Sequence, residues 1–136
     1  MNFIKTKLPS LIVILFTILS LFSYGQTQME MNIEAGAQFK KADKELNVIY
    51  QTILKEYASK PVFIKKFKVA QRLWVQLRDA DLAAKFPGPD YYGTVEPMCR
   101  ARYLADLTKQ RIKFLKVWLV GITEGDACNG SVKTRQ

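Results

Sequence analysis

From Phe39 onward the apolar residues recur every three or four positions. Phe39, Ala42, Leu46, Ile49, Ile53 and Tyr57 make one stripe, with Lys40, Lys41, Lys44 and Lys55 mostly off it, the pattern of an amphipathic helix. Ser59-Lys60-Pro61 interrupts the stripe, and Pro61 suits the first turn of a new helix. The second stripe runs Phe63, Phe67, Ala70, Trp74, Leu77, Ala80/Asp81, Ala84, and Pro87-Gly88-Pro89-Asp90 ends it. Glu96-Pro97 opens a third, with Ala101, Leu104, Thr108, Ile112, Leu115 and Leu119 in line and Leu107, Phe114 and Trp118 beside them; Gly121 is the expected stop. A polar tail follows, with turns at Glu124-Gly125-Asp126 and Asn129-Gly130. There is no useful β-alternation, so the prediction is an all-α antiparallel bundle of three main helices.

The front of the chain follows another rule. Lys5 and Lys7 precede an apolar run from Leu8 to Phe22, which ends at Ser23-Tyr24-Gly25. That is the layout of a secretory signal peptide over residues 1–25, and the run is short for a membrane span. The expected mature domain is 26–136, exported to the periplasm or the cell exterior and free of any transmembrane span. Loss of Lys5 and Lys7, with no acid, takes 21 basic residues to 19 against 12 acidic ones, a net charge of +7. In an oxidising compartment the two cysteines, Cys99 and Cys128, are expected to pair. The bridge would tether the tail to the start of the third helix and stabilise the domain by about 3–4 kcal/mol.

Composition narrows the chemistry. With no histidine, a Ser-His-Asp or Cys-His apparatus and any His-ligated metal are excluded, and two cysteines cannot build a Cys₄ zinc site. Asp79 and Asp81 diverge on their helix, and no carboxylate pair sits in an apolar setting that would raise one pKa for glycoside chemistry. The chain therefore reads as a non-enzyme without cofactor. Lys65, Lys68 and Arg72 share a face of the second helix, and Arg102, Lys109, Lys113 and Lys116 a face of the third. Such faces are solvated sides of amphipathic helices or an anion-binding surface for envelope polymers or membrane headgroups, which would make the chain an envelope interaction module for an anionic polymer or another envelope protein; no motif for specific nucleic-acid binding is present. Trp74, Arg78 and Asp79 form the most individual cluster, with Arg78 one turn beyond the indole and placed to cover it. Gln71 reads as a packing hydrogen bond. The elements best suited to recognition are Asp90, Tyr91 and Tyr92 on a proline-stiffened loop, and Glu124 and Asp126 in the tail. Whether the two tyrosines face a partner or fold back over the bundle is open at this level.

These residues also resemble a known family. Ala42-Asp43, Leu46-Asn47 and Tyr50, then Ala70-Gln71-Arg72, Trp74 and Arg78-Asp79, then Cys99, Thr108, Arg111 and Leu115 are similar in order and spacing to the LprI-like lysozyme-inhibitor domain. The resemblance spans Gln28 to Leu119 and implies an exported helical protein that binds lysozyme and shields the cell wall. It marks Asn47, Tyr50, Gln71, Trp74, Arg78, Asp79 and Arg111 as motif positions of structural character. Relatives often carry cysteines where this chain has Ile33 and Leu82, so apolar packing is expected in place of a bridge there. Animal-type lysozymes are basic, and a partner at +7 must meet them through a local acidic or aromatic patch. Asp90-Tyr91-Tyr92 and Glu124-Gly125-Asp126 are the two patches available.

Overall fold

A computed structural model describes residues 8–88 and 92–135, with side chains from Thr27 onward. Helix α1 spans Leu8–Glu56, α2 spans Pro61–Lys85 and α3 spans Glu96–Val120. The breaks fall where the backbone chemistry puts them. Lys60, held out of the helical region before a proline, separates α1 from α2, and Pro61 begins α2 at a position where no amide donor is needed. Phe86 caps α2 and Pro87 follows; Gly121, at φ 81°, caps α3. A 3-10 turn, Gly93–Val95, leads into α3.

Successive helices run antiparallel, which leaves α1 and α3 parallel to each other. Asn32 Nδ2 donates to Thr94 O near the start of α3, and Tyr57 Oη donates to Trp118 O near its end. The closest backbone packing is between α1 and α3, while α2 stands farther off and reaches them through long side chains. Leu46, Ile49, Ile53, Tyr57, Phe67, Ile112 and Leu115 form the core, flanked by Tyr50, Phe63, Trp74 and Trp118. A buried aliphatic or aromatic side chain of this kind contributes about 1.5–3 kcal/mol. Among the described residues this cluster lies between Leu46 and Leu115, and buried Ala35 and Ala42 extend it along α1.

The tail folds over the end where α1 and α3 finish. Ile122–Thr123 (β1) and Thr134–Arg135 (β2) pair in parallel, and Ile122 N donates to Lys133 O. Trp118 Nε1 donates to Ser131 Oγ, Lys133 N to Tyr57 Oη, and Lys133 Nζ pairs with Glu56 at 3.0 Å. This arrangement overturns the expected disulfide: Cys99 and Cys128 are free thiols, one half-buried and one exposed. Cys99 sits in the first turn of α3, about 30 Å of helix from Val120. A bridge needs Cα atoms within about 7 Å, so residues 121–128 would have to run almost fully extended back along the helix. Positive-φ glycines at 121, 125 and 130 fold them at the far end instead. The tail is fastened by hydrogen bonds and not by sulfur.

The apolar substitutes for the relatives' cysteines behave differently from each other. Leu82 is half-buried, but Ile33 is 61% exposed, so no packed apolar pair forms there. The expected signal peptide falls partly outside the described residues: 1–7 lie beyond them, and 8–26 are described only as backbone of α1. Among the described residues no helix is long and apolar enough to cross a membrane.

Candidate functional site

The family-motif residues converge on one brace across all three helices. Trp74 of α2 lies between two guanidinium groups: Arg78 Cζ is 5.4 Å and Arg111 Cζ 5.6 Å from its ring centre. Arg78 also lies over Phe39 of α1 at 5.7 Å, and Arg111 over Phe114 of α3 at 5.2 Å. Phe39, Arg78, Trp74, Arg111 and Phe114 thus alternate ring and cation across the bundle. Each such contact contributes about 0.5–2 kcal/mol, more as water is excluded.

The edges of the cations are also occupied. Arg78 meets Asp79 at 2.9 Å and Asp43 at 3.5 Å, and Asn47 Nδ2 donates to the other oxygen of Asp43. Arg111 Nε donates to Oε1 of buried Gln71 at 3.0 Å, and burial pulls the Arg111 pKa below its ordinary value. Tyr50 stacks on Phe67 with centres 5.5 Å apart, and burial pushes its phenol pKa up. Trp74 is half-buried and packs against the core cluster, where the stripe implied a fully inside position. Asn47, Gln71, Trp74, Arg78, Asp79 and Arg111 therefore act together as a brace, with Tyr50 in the adjoining core.

Of the two patches nominated for recognition, one is described only at Tyr92, which lies far from the other. Asp90 and Tyr91 lie outside the described residues. Tyr92, beside them, is 43% exposed and packs edge-on against buried Phe86. Its backbone N–H donates to Glu96 Oε2, while Glu96 Oε1 accepts from Arg100 at 2.8 Å. Arg100 donates in addition to Phe86 O and covers the Phe86 ring, so Phe86 and Tyr92 are both fastened to the start of α3. Glu124 and Asp126 are exposed at the opposite end of α3, about 37 Å away along a helix of 25 residues. Asp126 Oδ1 is engaged internally, accepting from Cys128 N at 2.8 Å. Among the described residues no three Cys, Asp or Glu side chains are grouped to hold a metal ion.

Sequence reasoning missed the outward face of α2. Ala70 and Leu77, placed on the core stripe, are exposed, as are Val62, Val69 and Leu73. Lys65, Lys68 and Arg72 are exposed as expected, but they border an apolar strip and not a wholly polar face. The signal was present: apolar residues occupy both sides of this helix.

Comparison with known proteins agrees with the motif geometry. Residues 23–115 match the family described as lysozyme inhibitor LprI. An uncharacterized protein of Rhizobium meliloti (strain 1021) is 33% identical over 102 residues, which cover 66% of this chain and 72% of that protein. No solved structure matches significantly. The matched span takes in the brace from Phe39 to Phe114 and both helix-linking breaks, and the chain belongs to the LprI family of exported, non-catalytic binding proteins.

Proposed function

We propose that the protein is exported by cleavage after Gly25 and binds lysozyme through the loop between α2 and α3, blocking attack on the cell wall. The family description supports the activity, and the fastening of Tyr92 supports its place. Phe86, Glu96 and Arg100 hold half-exposed Tyr92, next in sequence to Asp90 and Tyr91, so this amphipathic aromatic has little entropy left to lose. Asp90 answers the charge problem, since it meets a basic enzyme locally although the chain as a whole repels it. The tail is the weaker site because the Asp126 carboxylate already holds its own turn.

The test is a cell-wall lysis assay in which residues 26–136 are titrated against an animal-type lysozyme at low and high salt. Stoichiometric inhibition that persists or improves as salt rises is the expected result. Asp90→Ala with Tyr91→Ala should weaken it by about tenfold or more, the scale of a two-residue hot spot. Lack of inhibition at large molar excess sinks the reading; inhibition untouched by the double substitution moves it away from this loop.

A further inference from the structure

We infer that the outward face of α2 is a docking ridge for an anionic phospholipid surface. Helical geometry puts Val62, Val69, Leu73 and Ala80 within about 20° of one line, with Leu77 about 60° to one side. That line is nearly opposite Phe67 and Gln71, the residues α2 buries. Val62, Val69, Leu73 and Leu77 are between 40% and 70% exposed, so the part of the helix farthest from the core is apolar. An outward helix face is ordinarily the polar one. Exposed Phe114 extends the apolar area across the adjoining groove between α2 and α3, which Val62, Phe67 and Trp118 also line.

Charge chooses the occupant. Lys65, Lys66 and Arg72 border the strip, and no acid occurs between Pro61 and Arg78. Among the described residues these three cations have no ion-pair partner, whereas Lys109, Lys116 and Lys133 each meet a carboxylate. A second copy of the chain would bring the same cations face to face. The strip faces outward as an open, shallow apolar surface of Val62, Val69, Ala70 and Leu73 with Lys65 and Lys66 beside it. A bilayer accepts such a face, with the apolar side chains entering the headgroup boundary and the lysine and arginine stems spreading to the phosphates. This inference concerns a different face from the α2–α3 loop and stands independently of lysozyme inhibition.

The test is cosedimentation of residues 26–136 with phosphatidylcholine vesicles containing roughly a third phosphatidylglycerol, and with phosphatidylcholine alone. Binding to the anionic vesicles should be at least about tenfold tighter. Leu73→Glu with Leu77→Glu should lower it by about tenfold or more with no loss of thermal stability, since both side chains are exposed. Lys65→Glu with Lys66→Glu should do likewise. Lys109→Glu with Lys113→Glu, an equal charge change on a face turned away from α2, should have a much smaller effect. Equal binding to neutral vesicles, or none to either, overturns the inference. So does binding that survives the leucine substitutions, or that falls equally for the two lysine pairs. A dimer of the unaltered chain in sedimentation velocity that Leu73→Glu with Leu77→Glu dissolves would assign the face to a second copy instead.

Discussion

The hydroxyl of Thr108 lies wholly inside the bundle with no hydrogen-bond partner among the described residues. A buried hydroxyl that has given up water without a replacement is a net cost. Thr108→Val keeps the shape and removes that cost, so stability should rise by about 1 kcal/mol in urea denaturation, with an unchanged slope. A fall in stability would mean the hydroxyl is bonded. The brace around Trp74 teaches a related lesson about what single residues disclose. The Trp74–Arg78 contact is readable from a spacing of four on one helix. Arg111, Phe39 and Phe114 join it only because three helices converge, and spacing along the chain carries no sign of that. Arginine is required at 78 and 111 for its plane as much as its charge: a lysine would keep the cation and lose the stacked sheet and the fixed donors to Asp79 and Gln71.

At the level of elements, the breaks at Pro61, Pro87 and Gly121 were legible because each residue acts on its own backbone. The orientation of α2 was not. Phe63, Phe67 and Trp74 on one side and Val62, Val69, Leu73 and Leu77 on the other leave no single apolar stripe, so periodicity alone could not say which side the core would claim. Gly121 has a heavier duty than ending a helix. A Cβ there would meet Lys133 O at 2.7 Å, on top of the left-handed backbone at φ 81°. Gly121→Ala should therefore push β2 away and loosen the clasp made by Ser131 and Lys133. The expected loss is about 1–3 kcal/mol in thermal or chemical melting, with faster exchange of the Ile122 amide. A melting curve equal to that of the unaltered chain would show that the clasp does not contribute to stability.

For the whole molecule, the placement of the two thiols at opposite ends of α3 has a simple readout. Adding a reductant to the purified, air-exposed protein should leave Tm unchanged, because no bond links Cys99 to Cys128. A reductant-induced drop would require a covalent link that this arrangement of helix and tail does not allow. The parallel pairing of α1 with α3 has a different kind of consequence. Tyr57 and Trp118 meet across 61 positions of sequence, and the core is shared mainly between the first and last helices. In a bundle built from consecutive hairpins, early helices gain partners as soon as the next one is made. Here α1 gains its main partner only when α3 is present, and a loop of some sixty residues must close first. A growing chain consequently holds no finished core until α3 has been made. Until then α1 and α2 stay threadable, the condition in which a protein bound for export can still pass through a narrow channel.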